Sequence, residues 1–229
     1  PAPFIDKEIQ CALCHASVVA LSGNMPMELL GALRQYGSWT DEQVLAYARQ
    51  KPDPYVRGQA LVGLAPYLSP ALQQETYQRA LQAVLALPYE SERTNMLRAL
   101  APHLPEAVYH AAMALRNKWY QTHVLSAVAP YLPEVVYRAA LRLSEEEERA
   151  KVLLAVAPHL PEAVQQALQA ALALSDEWAR ALVLSGLILH LPEAERAEAL
   201  RQALQATLAL SDEWARAYRR DQERGGWHG

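Results

Sequence analysis

The sequence predicts an all-α, right-handed solenoid of about five helical hairpins behind an N-terminal helical segment. Three observations predict it. A proline-bearing motif, Ala157-Pro158-His159-Leu160-Pro161-Glu162, recurs as Ala65-Pro66-Tyr67-Leu68-Ser69-Pro70, Ala101-Pro102-His103-Leu104-Pro105-Glu106 and Ala129-Pro130-Tyr131-Leu132-Pro133-Glu134, and more weakly as Ile188-Leu189-His190-Leu191-Pro192-Glu193. Measured from the first proline, or from Leu189, the spacings are 36, 28, 28 and 31 residues, the range of stacked supersecondary units. Nine residues before each stands Arg57, Arg93, Gln121, Arg149 or Arg180, so a second feature keeps register with the first. The 52% of hydrophobic residues, rich in Ala and Leu with a single Phe, favours close-packed helices over sheet.

Taken in order, residues 4–22 carry a helical apolar stripe of Ile5, Ile9, Ala12, Leu13, Ala16, Val19 and Ala20. Gly23-Asn24 ends it, and Pro26 suits the first turn of a second helix reaching Tyr36. Thr40 with Gln43 is a capping-box signature for a third, which stops before Lys51-Pro52-Asp53-Pro54. Residues 1–39 thus form an N-terminal segment, 40–224 the repeats and 225–229 a tail. In each repeat the first helix starts at the second proline (Pro105, Pro133, Pro161, Pro192), where a missing N–H costs nothing. The glutamate that follows suits the positive helix end. The second helix starts behind a cap, as at Ser144, Ser175 and Ser211. It ends near the first proline, which forces a kink or a tight terminus. Leu68, Leu104, Leu132, Leu160 and Leu191 share one position and are expected to pack between hairpins. Few large apolar positions are expected to face solvent. The polar last helix, with Arg216, Arg219, Arg220, Asp221, Glu223 and Arg224, is expected to cap the stack.

The net charge of −4 argues against nucleic-acid or anionic-membrane binding, and no run of 18 or more apolar residues predicts a membrane span. Two cysteines are too few for a disulfide scaffold. Nucleotide-binding, zinc-protease and serine-hydrolase signatures are all missing. Glu145 to Glu148 is a solvated helix start, so no enzyme is predicted.

Four features are candidates for function. Cys11-Ala12-Leu13-Cys14-His15 matches C-x-x-C-H, in which two thiols bind haem vinyl groups and the histidine ligates iron. The reading adopted is that both cysteines are small core residues and that no cofactor is held. The alternative is an exported or periplasmic c-type cytochrome with Met25 or Met27 as sixth ligand, the chain's start at Pro1 then marking a cleaved signal. A zinc site lacks two further ligands nearby. The series Tyr67, His103, Tyr131, His159 and His190 lines one repeat position, either as amphipathic half-buried rings or as a groove for a protein or peptide. A metal site from His103, His159 and His190 is not expected, because even neighbouring repeats stand about 10 Å apart. The in-register arginines are read as pairing with nearby acids, as Arg180 with Asp176, rather than as a basic stripe. Trp119, Trp178 and Trp214, two residues before register positions, are read as inter-repeat packing; exposed, they would be binding hot spots.

From Thr40 onward the chain resembles the HEAT-like repeats attached to bacterial STAND-type, NLR-like NTPases. The resemblance rests on Asp53-Pro54-Tyr55-Val56-Arg57 leading to Leu64-Ala65-Pro66, on Leu100 to Glu106, and on Leu172-Ala173-Leu174-Ser175-Asp176-Glu177-Trp178-Ala179-Arg180. It implies a sensor or partner-binding arm of a larger cytoplasmic signalling protein. The nucleotide-binding module of such proteins is not in this sequence, so the resemblance implies binding and no ATPase.

Overall fold

The computed structural model describes residues 25–225, with backbone alone at residues 27, 28 and 210–225. Among the described residues all regular structure is helical. The chain divides into two compact units, Pro1–Leu104 and Pro105–Gly229. The C-x-x-C-H motif and the expected helix over 4–22 lie outside the described residues.

In the first unit, α1 (Met27–Gln35), α2 (Asp41–Arg49), α3 (Pro54–Leu64), α4 (Pro70–Leu85) and α5 (Glu90–Leu100) follow one another, with a 3-10 turn at Ala65–Tyr67. The capping box is present: the Gln43 amide donates to Thr40 Oγ1 at 3.4 Å and the Thr40 amide to Gln43 Oε1 at 2.8 Å. Helix α3 is central, packing on α1, α2, α4 and α5. Its Leu61 and Leu64 meet a buried core with Leu30, Val44, Val84 and Leu97, each such side chain contributing about 1.5–3 kcal/mol. Asp41 ties three elements together. It accepts from Arg34 Nε at the end of α1 and from the Ser69 amide, 3.2 Å away, at the start of α4.

The second unit holds α6 (Pro105–Met113), α7 (Lys118–Val128), α8 (Pro133–Ala140), α9 (Glu146–Val156), α10 (Pro161–Ala173), α11 (Glu177–Leu187) and α12 (Glu193–Gly225). Neighbours in sequence pack together, and α7, α9 and α11 also stack directly on one another. Where α9 meets α11, a Cβ on Gly186 would stand 2.9 Å from a Leu154 methyl, so this glycine sets a close approach.

The proline rules hold at the helix starts. Pro70, Pro105, Pro133 and Pro161 each open a helix, while α12 opens at Glu193, one residue after Pro192. The first prolines make tight termini rather than kinks, since α3, α5, α7 and α9 end two residues before them. Two N-cap positions shift by a residue, to Glu145 for α9, whose side chain makes no capping bond, and to Asp176 for α11, which accepts from the Ala179 amide, in place of Ser144 and Ser175. Leu68, Leu104 and Leu191 are buried as expected, whereas Leu132 and Leu160 are half-buried.

The in-register arginines do something other than pair with acids. Arg57 Nη1 donates to the Lys51 carbonyl at 2.8 Å and Arg149 Nη1 to the Leu143 carbonyl at 3.2 Å. Arg180 donates to the Leu174 carbonyl through Nε at 3.0 Å and Nη2 at 2.7 Å. Each reaches back six residues to a carbonyl just past the end of the preceding helix, where carbonyls lack intrahelical partners. The guanidinium therefore clasps one helix end to the next helix, and the expected Arg180–Asp176 pair is replaced by this bond. Buried Gln121, in the same register, reaches the Ala112 carbonyl at 3.3 Å. Arg93 departs from the pattern, with Nη2 3.7 Å from Glu90 and a buried, unpartnered Nε.

The second helix expected behind Ser211 does not form, because α12 runs unbroken for 33 residues. The ten residues Leu172 to Ala181 are repeated identically as Leu208 to Ala217, yet the first copy breaks between α10 and α11 and the second stays helical. What differs is the sequence that follows. After the first copy come Val183, Leu184 and Leu187, all fully buried. After the second, the corresponding residues are Arg219, Arg220 and Glu223. Without an apolar set to bury, a turn gains nothing against its ordering cost, and the Ala, Leu, Glu and Arg of the segment favour continued helix.

Candidate partner-binding face

Residues two before and two after the register position are helix neighbours at i, i+4. On α7 these are Trp119 and His123, with ring centroids 3.9 Å apart, His123 Nδ1 2.7 Å from the Trp119 carbonyl, and Trp119 49% exposed. On α9 they are Glu147 and Lys151, ion-paired at 2.6 Å. On α11 they are Trp178, 66% exposed, and Leu182, also exposed. Because α7, α9 and α11 stack in turn, the three pairs form one row across the second unit: aromatic, charged, aromatic. The expectation that these tryptophans pack between repeats is corrected for Trp119 and Trp178. The signal was available in the repeat alignment, since a column that accepts Glu147 and Lys151 faces solvent. Trp214 lies where only backbone is described.

Beside Trp178 a groove of about 350 Å³ runs between α11 and α12, lined by Leu182, Ser185, Leu200, Leu204 and Thr207. Its hydroxyls are spent on their own helices: Ser185 Oγ bonds the Leu182 carbonyl at 2.9 Å and Thr207 Oγ1 the Ala203 carbonyl at 2.8 Å. What remains is apolar wall. Leu200, Leu204 and Leu208 are more than half exposed and Leu189 is 80% exposed, so this end of the stack does not close on itself as expected.

All five members of the Tyr/His series are exposed, Tyr67 at 43% and Tyr131 at 45%, but those of the first unit also touch neighbouring elements. In the first, the Tyr67 ring lies against α1, 2.8 Å from where a Cβ on Gly31 would stand. His103 stacks on Tyr77 with centroids 3.9 Å apart and planes 9° apart. Partial desolvation, with one ring face against Tyr77, holds the exposed His103 imidazole below its ordinary pKa, and burial pushes the Tyr77 phenol up. In the second unit Tyr131, His159 and His190 each lie just past the C-terminus of α7, α9 or α11. No group of three or more His, Cys, Asp or Glu among the described residues is placed to hold a metal. Of the haem candidates, Met25 is described, its amide donating to the Tyr47 hydroxyl at 3.1 Å; Cys11, Cys14 and His15 lie outside the described residues. No described helix is long and apolar enough to cross a membrane.

Among the described residues, fold and face together define an all-helical, repeat-like architecture with an exposed aromatic row. No protein family, curated protein or solved structure matches the chain.

Proposed function

We propose that this chain is a non-catalytic scaffold, a right-handed solenoid of about five HEAT-like hairpins, that binds a protein or peptide partner. The partner lies across α7, α9 and α11, touching Trp119 and Trp178 at one end of these helices and Tyr131, His159 and His190 at the other. The observation that carries the reading is the exposure of two tryptophans at one register position on stacked helices. Large aromatics left in water are costly, and they dominate binding energy when a partner covers them. The resemblance noted above supports the setting, a sensor arm of a larger signalling protein.

The test compares the tagged wild-type chain with Trp119→Ala/Trp178→Ala in affinity isolation from the native host. Exposed positions of this kind change stability by about 0.5 kcal/mol or less, so thermal unfolding should be nearly unchanged while the co-purifying partner is lost. A variant that keeps its partner contradicts the assignment, and one that unfolds places the row in the core.

A further inference from the structure

We infer that the groove between α11 and α12 receives an amphipathic helix of net positive charge. This rests on the reading of the α7–α9–α11 face as a partner surface and names the partner's chemistry. The apolar half of the argument is the lining. With the Ser185 and Thr207 hydroxyls donating within their own helices, the lining offers a ligand few polar groups, namely their acceptor lone pairs and the Trp178 indole N–H. It rewards mainly apolar atoms. Two antiparallel helices with Trp178 and Leu182 on one and Leu200 and Leu204 on the other make a trough for a third helix presenting apolar residues at i, i+3/i+4 and i+7.

The charged half is the edge of the same face. Glu145 and Glu146 open α9, and Asp176 and Glu177 open α11 beside Trp178. The cations on these two helices are engaged elsewhere. Arg149 and Arg180 are turned to backbone carbonyls, and Lys151 is paired with Glu147. The helix N-termini contribute roughly half a positive charge each, which does not offset four carboxylates. On α12 the described cations are engaged as well, Arg196 with the Leu191 carbonyl and Arg201 with Glu198. The α9 and α11 edge beside the trough is therefore negative, and lysines or arginines flanking the partner's apolar stripe complement it. An acidic helix meets repulsion there, and an anionic lipid surface does too.

Two synthetic 18-residue peptides test this. They share one Leu/Phe stripe and differ in flanks of Lys/Arg or of Glu. Each carries a dye and is titrated with the full chain by fluorescence anisotropy. The basic peptide should bind at least tenfold more tightly than the acidic one. Leu200→Ala/Leu204→Ala, both at exposed positions, should weaken it at least tenfold, and Glu146→Gln/Glu177→Gln should narrow the gap between the peptides. Equal binding of both peptides, indifference to the leucine changes, or attachment to vesicles of anionic phospholipid overturns the inference. If neither peptide binds while Trp119→Ala/Trp178→Ala still loses its partner, the groove assignment falls and the face stands. If that tryptophan variant keeps its partner, the face itself falls.

Discussion

Replacing Arg180 by Met isolates the clasp, because methionine keeps much of the apolar stem and removes only the guanidinium. In the wild type the Leu174 carbonyl receives two bonds, at 2.7 and 3.0 Å, and the Ser175 carbonyl a third at 3.4 Å. A hydrogen bond from a charged donor is worth about 1.5–3 kcal/mol, and a buried carbonyl left without a partner costs about 1–3 kcal/mol. The two ranges describe the same loss, so Arg180→Met should cost about 2–3 kcal/mol. Arg149→Met, which loses a single bond of 3.2 Å, should cost about 1–2 kcal/mol on the same scale. Arg201→Met, on an exposed ion pair with Glu198, should cost no more than about 0.5 kcal/mol. Urea unfolding followed at 222 nm measures all three. A cycle with Asp176→Asn separates the clasp from an ion pair, because asparagine retains the cap on the Ala179 amide and drops the charge. Coupling should stay within about 0.5 kcal/mol. An Arg180→Met loss as small as that of Arg201→Met, or a coupling above 1 kcal/mol by the same measure, would refute the reasoning.

Other outcomes follow from the first unit and from the N-terminal motif. Arg34 and the Ser69 amide hold the Asp41 carboxyl below its ordinary pKa, so its contribution is present above about pH 3.9 and lost as pH falls through the lower folded value. His103, held low by partial desolvation, contributes above about pH 6.5 and loses that contribution as pH falls. Melting temperature should decline on acidification in both windows. Asp41→Asn should cost about 1–3 kcal/mol and flatten only the lower window; an unchanged profile contradicts the assignment. Gly31→Ala should destabilise by about 1–2 kcal/mol because Tyr67 must move. In a Tyr67→Ala background the same change should stabilise by about 0.5–1 kcal/mol through helix propensity, and the absence of that sign reversal would refute the contact. As core residues, Cys11 and Cys14 predict a colourless protein with two titratable thiols. A Soret band surviving acid–acetone extraction would make the chain a c-type cytochrome instead.

Where a residue's role is decided within one or two turns of its own backbone, the sequence announced it. The N1 prolines at Pro105, Pro133 and Pro161 and the Thr40/Gln43 box belong to this kind. Arg57, Arg149 and Arg180 were visible as a register but not as clasps, because their partner is a carbonyl, which carries no side-chain signature. Trp119 and Trp178 were visible as a column, while their exposure depended on which helices stack. The clearest limit is the segment Leu172 to Ala181 and its copy Leu208 to Ala217. Ten identical residues turn in one place and run straight in the other, so burial of Val183, Leu184 and Leu187 decides what the local sequence leaves undecided. The exposed Leu200 and Leu204 were missed for a related reason, since a leucine at core spacing is core only if another element covers it.

The claim that a partner lies across α7, α9 and α11 is tested most directly by position-specific photocrosslinking. A photoreactive phenylalanine analogue would be placed singly at Trp178 and His123 on the α7–α9–α11 row, and at exposed Gln166 on α10, in the full chain within its native host. The account predicts one adduct of the same added mass from Trp178 and His123 and none from Gln166. Adducts from Gln166 with none from the α7–α9–α11 row would contradict it.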